Sequence, residues 1–158
     1  MIQVLKPFAQ WMASTDWFLR VGPRFVPKLD RALYRLTRGK VISSDHVVPS
    51  LVLTTTGART GQPRHSPLAC RPEPGGGFLV VGSNFGREKH PAWTGNLLKT
   101  PQAAVTYKGR EIPVTARLLT GEEREAAWRG LVEQWPLYER YVETAGGREL
   151  RVFRLTPR

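Results

Sequence analysis

The spacing of hydrophobic positions changes character part-way along this chain. Leu5, Phe8 and Met12 recur at helical intervals, and the Trp17-Phe18 pair precedes a break at Gly22-Pro23. A second helix is predicted after Pro27, with Leu29, Leu33 and Leu36 on one face and Lys28, Arg31, Arg35 and Arg38 on another. From Val48 the period becomes that of strands. Residues 51–71 read as a hairpin: a strand over Leu51 to Thr56, an enlarged loop within "TTTGARTGQPRHSP", and a partner strand from Leu68 to Arg71 that carries Cys70. Gly75 to Gly77 turns into a strand over 78–83, and "NFGREKHP" then leads to a short helix with Trp93 and Leu97 on its inward face. A second hairpin pairs Ala103 to Tyr107 with a strand where Ile112, Val114, Ala116 and Leu118 alternate with Pro113, Thr115 and Arg117. "TGEE" fits a capping box, Thr120 accepting from first-turn amides and Glu123 reaching back. The helix it opens runs through Ala126, Ala127, Leu131 and Val132, is interrupted at Pro136, and resumes as "LYERYVETA". A final strand, "LRVFRL", ends the pattern. Antiparallel strands in hairpins with helices at the rim predict an α+β fold built on a small, closed or partly closed β-barrel.

Composition narrows the class. The 158 residues are 41% hydrophobic and include five Trp, enough for a core and incompatible with wholesale disorder. One cysteine excludes an intramolecular disulfide framework and fits a reducing compartment. No run reaches eighteen apolar residues and the N-terminus lacks a signal-peptide pattern, so a cytoplasmic protein is expected. The formal net charge of +11 favours an anionic ligand, a polyanion or an anionic membrane surface. The cationic stripe on the second helix suits either a solvated face or peripheral contact with the inner face of the membrane. Scattered charge with no RNP, helix-turn-helix or zinc signature weighs against nucleic acid.

His46, His65 and His90 lack metal-ligand spacing, no G-x-S-x-G elbow is present, and neither "GARTG" nor "GSNFG" has Rossmann or Walker spacing. Cys70 reads as a packed thiol. Two loops remain that could converge on one anionic, planar ligand. The first offers the forked donors of Arg59 and Arg64 together with small residues that let backbone amides face outward. The second, Ser83 to Pro91, ends at a helix N-terminus, which also favours negative charge. Taken singly, the glycines could serve only turn geometry and Trp93 could be core rather than the wall of a flat ring.

"LTTTGARTGQPRHSPL", "VVGSNFGREKHPAWTGNL" and "WPLYERY" together resemble the deazaflavin-dependent nitroreductase family, a branch of the flavin/deazaflavin oxidoreductases with an FMN-binding-like split β-barrel. The resemblance covers roughly residues 30–156. It implies the deazaflavin coenzyme F-420 in its reduced form as ligand of a split β-barrel domain, placed at 41–158 behind the basic helical extension that the residue pattern predicts at 1–40. By that resemblance Arg59 and Arg64 meet the phosphate and acidic tail, with Thr60, Gly61 and Pro67 shaping the loop. Ser83, Asn84, Phe85 and Gly86 approach the ring, and Pro91, Trp93 and Asn96 close the groove. Tyr138 and Tyr141 match tyrosines near the substrate pocket. The chain departs from better-known members in having Ala58-Arg59 for a basic pair, Asn84-Phe85 for a Lys-Gly pair, and Ala69 for a pocket aromatic.

The expectation is therefore an oxidoreductase that passes a hydride from reduced F-420 to a quinone, enone or nitro compound. Ser83 and Tyr138 would hydrogen-bond substrate, and the proton would come from Tyr138 or water. FMN as the cofactor, or a noncatalytic cofactor- or lipid-binding protein, are the alternatives.

Overall fold

The computed structural model describes residues 48–158, with Lys28 alone before them. The predicted helical extension, residues 1–40, otherwise lies outside the described residues. Seven strands form one antiparallel sheet: β1 (Ser50–Thr56), β2 (Pro63–Ala69), β3 (Arg71–Pro72), β4 (Phe78–Gly82), β5 (Gln102–Tyr107), β6 (Arg110–Leu118) and β7 (Arg151–Pro157). Their order is β2-β1-β5-β6-β7-β4-β3. The two edges are consecutive in the chain, joined through Cys70, and β2 also approaches β4, so the sheet curls into a half-barrel.

The curl gives the sheet an inside and an outside. Leu51, Leu53, Phe78, Val80, Val105, Val114, Phe153 and Leu155 fill the inside, and helix α1 (Ala92–Lys99) adds Trp93 and Leu97 to the same core. On the outside, Leu79, Val81 and Val152 meet Ala127 and Leu131 of α2 (Gly121–Gln134) and Tyr138 and Tyr141 of α3 (Leu137–Thr144). Strand β4 is thus buried on both faces. A central strand covered twice has no polar face to alternate with, which is why "FLVVG" is an unbroken apolar run. Strand β6, covered once, keeps the alternation: Val114 and Ala116 are buried while Pro113, Thr115 and Arg117 are exposed.

Three expectations are corrected. The β1–β2 loop is shorter than predicted, because pairing already begins at Thr56↔Pro63; Arg64 and Pro67 therefore stand on β2, opposite Thr55 and Val52. The exposed, proline-bearing start of β2 hid a strand from a reading based on hydrophobic period. Cys70 lies between β2 and β3 rather than within a strand. The capping box at Thr120 is not formed: its side chain makes no cap hydrogen bond, and Glu123 instead pairs with Arg117 and Arg154. Charge-assisted bonds to two guanidiniums outcompete one to a neutral amide.

Candidate functional site

The loop from Gly57 to Gln62 is held by its own backbone and by one face of α1. Gly57 N donates to Gln62 O at 2.8 Å, and Gly61 N donates to Gly57 O at 2.8 Å. A Cβ at Gly57 would stand 3.0 Å from Thr60 Oγ1 and 3.1 Å from Gln62 O, so the closed loop leaves little room for a side chain there. From α1, Asn96 Oδ1 accepts from Ala58 N at 2.9 Å while its Nδ2 donates to the buried Thr55 Oγ1 at 3.0 Å. Lys99 Nζ donates to Ala58 O at 2.7 Å. Asn96 is only 7% exposed and is consumed by these bonds. It positions the loop and does not reach outward.

Above this scaffold Arg59 and Arg64 are exposed, with Arg64 Nη2 donating to Thr60 Oγ1 at 3.4 Å. Three cations, Arg59, Arg64 and Lys99, therefore crowd a short loop that contains no acidic residue. That donor set suits phosphate and carboxylate.

The second segment has a different construction. Asn84, Phe85 and Gly86 have φ of 46°, 55° and 72°, three consecutive residues in left-handed space. Asparagine tolerates this region, but phenylalanine there costs about 1–3 kcal/mol. Asn84 Nδ2 donates to Lys89 O at 2.9 Å, and the Phe85 ring stands edge-on to Tyr141 with centroids 6.3 Å apart. Gly86 is pressed against α3, where Thr144 Oγ1 donates to Gly86 O at 2.9 Å. The segment also accepts a set of hydrogen bonds from Arg148 and runs through His90 to Pro91, the N-cap of α1. His90 titrates below its ordinary value because burial, then Arg151 and Arg148, penalise its protonated form.

The two segments flank one helix. The segment after β4 enters α1 at its N-terminus and the cationic loop grips its C-terminal half, so about 10 Å of helix separates them at ~1.5 Å per residue. An elongated ligand with an acidic end suits that layout.

The family model for F420H(2)-dependent quinone reductases matches residues 27–157. The chain belongs to that family. A curated relative, the F420H(2)-dependent quinone reductase of Mycobacterium tuberculosis, is 35% identical over 111 residues, covering 67% of this chain and 71% of the relative. Among solved structures, an F420-H2 dependent reductase (FDR-A) superposes with a TM-score of 0.61 at 39% identity, covering 68% of this chain and 93% of that one. Another, described as a domain-swapped dimer, gives 0.63 at 35% identity, covering 79% and 94%. These likenesses agree with the deazaflavin resemblance carried by the two loop motifs.

Within this family fold the predicted residues fall into two groups. Thr60, Gly61, Arg64 and Asn96 come together at the cationic loop with Arg59. Ser83, Asn84, Phe85, Gly86 and Tyr141 come together at the segment after β4. Pro91 closes the second group as the N-cap of α1, Pro67 stands apart on β2 opposite Val52, and Trp93 and Tyr138 are buried. Trp93, expected to wall a flat ring, is 6% exposed and packs in the barrel core with its ring 5.8 Å from Phe153. Tyr138 is 4% exposed, between Trp128 and Tyr141. Burial first, and then neighbouring Tyr141, push its phenol well above the ordinary tyrosine value, so it holds its proton firmly. No motif marks Thr55, Lys99, Thr144, His90 or Arg148, all of which hold the two segments. Lys99 was findable, being two turns beyond Pro91 on the face that carries Asn96; nothing local marks Arg148, whose partners lie 58 to 66 residues away.

Proposed function

We propose that this protein is an oxidoreductase that passes a hydride from reduced coenzyme F-420 to a small, electron-poor acceptor of the quinone class. The observation that supports the reading is the pairing, at the two ends of one helix, of an acid-free cationic loop with a strained left-handed segment. Arg59, Arg64 and Lys99 would hold the phosphate and the acidic tail, and Asn96 keeps their loop in shape. Ser83 to Gly86 would meet the ring, and Pro91 fixes the start of α1 beside it. The chain contributes binding, orientation and exclusion of water, and needs no nucleophile of its own. The buried phenol of Tyr138 is a poor proton source, which leaves water, or the Ser83 hydroxyl as a donor toward the acceptor oxygen. Among the described residues no group of three or more His, Cys, Asp or Glu could hold a metal ion.

The test is anaerobic oxidation of the reduced coenzyme, followed by its returning absorbance, with a panel of benzoquinones and naphthoquinones. Turnover that depends on protein and quinone is expected. A flat trace in the presence of demonstrated coenzyme binding would overturn the reading.

The organisation into a basic extension at 1–40 and a coenzyme-binding domain at 41–158 belongs to the same proposal, as does contact of Lys28, Arg31, Arg35 and Arg38 with an anionic bilayer at the cytoplasmic face. Each well-placed cation contributes about 1 kcal/mol near such a surface. Among the described residues no helix is long and apolar enough to cross a membrane. Cosedimentation with anionic vesicles should be strong for the full chain and weak for residues 41–158. Equal pelleting of the two removes the idea.

A further inference from the structure

Arg148 follows Gly146-Gly147, in the turn after the C-cap of α3, Ala145, and reaches the segment after β4. Its Nη1 donates to Gly82 O at 2.9 Å and to His90 Nδ1 at 3.2 Å. Its Nη2 donates to Ser83 O at 2.8 Å and to Arg87 O at 2.8 Å, and its Nε donates to Arg87 O at 3.1 Å. A guanidinium has five N–H hydrogens and no acceptor. All five are spent on residues 82 to 90.

The acceptors bracket the strained part of the segment. Gly82 and Ser83 precede the left-handed residues Asn84, Phe85 and Gly86, and Arg87 and His90 follow them. One rigid plane thus fixes where the strained turn begins and where it ends. A lysine, with three donors about a single point, cannot reproduce the pattern. The bond to His90 carries further information. Arginine only donates, so Nδ1 must accept, which places the ring proton on Nε2 and makes His90 a neutral Nε2–H tautomer.

We propose that Arg148 is the positioning residue of the ring-side segment, holding Ser83 to His90 in the shape that receives the flat head of the coenzyme and setting the tautomer of His90. This role rests on the functional reading above only for what the segment receives; the latch itself is a matter of backbone geometry.

The experiment compares the full chain with Arg148→Lys and Arg148→Met. It reads hydrogen exchange of the amides at 84–90, the 15N signature of His90, and titration with oxidised F-420 of short and long tails. Exchange at 84–90 should accelerate at least tenfold in both variants while the sheet stays protected. The Nε2–H signature should give way to mixed tautomers. Coenzyme affinity should fall at least tenfold, with the dependence on tail length retained because the cationic loop is untouched. Lysine should not rescue.

Wild-type exchange, tautomer and affinity in both variants would overturn the proposal. Should both fail to fold, His90→Asn and His90→Leu decide it. Asparagine offers an acceptor near the Nδ1 position and should preserve protection, whereas leucine offers none and should lose it. Equal exchange in the two would count against the latch. If the wild type does not bind the coenzyme, the functional reading fails, while the exchange and tautomer measurements still judge Arg148.

Discussion

Phe85 shows how one residue can look like a defect and make sense in place. Where relatives of the resembling family carry Lys-Gly, this chain has Asn84-Phe85, and it adopts left-handed backbone at both. The cost of holding a phenylalanine there is offset by its ring against Tyr141 and by the bonds that clamp the segment on either side. Gly86, next in line, has no such freedom to vary. Its φ is 72°, and a Cβ would stand 2.1 Å from Thr144 Oγ1 and 2.9 Å from Tyr141 Cα. Thr144 could rotate away, but only by giving up its bond to Gly86 O; the backbone of α3 cannot yield without moving the helix. Gly86→Ala should therefore combine about 1–3 kcal/mol of backbone strain with about 1–3 kcal/mol of overpacking. Thermal unfolding followed by circular dichroism should show Tm lowered by roughly 5 °C or more. A Tm within a degree of wild type would mean that α3 does not press on the segment as described.

Elements were legible in the sequence where a single face decides the pattern. Strand β6 and the hairpin it makes with β5 follow from simple alternation, and Pro136 marks the break between α2 and α3. Legibility failed where polar residues had partners far away in sequence. The start of β2, "PRHS", is an exposed edge with no apolar stripe to announce it. Thr120 and Glu123 have capping-box spacing, yet Arg117 and Arg154 arrive from β6 and β7 to take Glu123, and Arg154 also pairs with Glu73 at 2.8 Å beside β3. The same holds at the site: both loops could be located from their residues, while Arg148 could not. The ion network makes its own prediction. Hydrogen bonding to Arg117, reinforced by the charges of Arg117 and Arg154, holds the Glu123 carboxyl below its ordinary value. A depressed carboxylate adds stability that is fully present above its unfolded value, near 4.5, and is lost as pH falls through its folded value. Chemical denaturation between pH 3 and 7 should show a smaller acid loss for Glu123→Gln than for wild type. Because the pair is solvent-exposed, the difference should be small and should shrink further in high salt. Parallel pH profiles for the two proteins would show that the network contributes nothing at this end of the sheet.

On the scale of the whole molecule, α1 packs its Trp93 and Leu97 into the inside of the half-barrel, and three of the chain's cations gather at the loop held by its C-terminal half. The net charge of +11 gives a long-range field, but only cations held close to the ligand contribute to its residence. Arg59 and Arg64 sit on the loop that Asn96 and Lys99 fasten to α1, at the end remote from the ring-side segment. In the proposed function their task is thus separable from the chemistry. A charge-assisted hydrogen bond contributes about 1.5–3 kcal/mol, so Arg59→Ala or Arg64→Ala should each weaken coenzyme binding by roughly ten- to a hundredfold, less where the tail keeps its water. The lost contact is equal in ground and transition states, so turnover at saturation should hardly change. Wild-type affinity should fall with added salt and rise with the length of the glutamate tail until the loop is spanned, and both dependences should flatten in the variants. Titration of short- and long-tailed coenzyme at two ionic strengths, on wild type and the two variants, reads all of this. Wild-type affinity for the long-tailed form in both variants at low salt would assign the loop's positive charge to some other ligand. A fall in saturated turnover with affinity intact would instead place these arginines at the ring, against the separation of the two segments along α1.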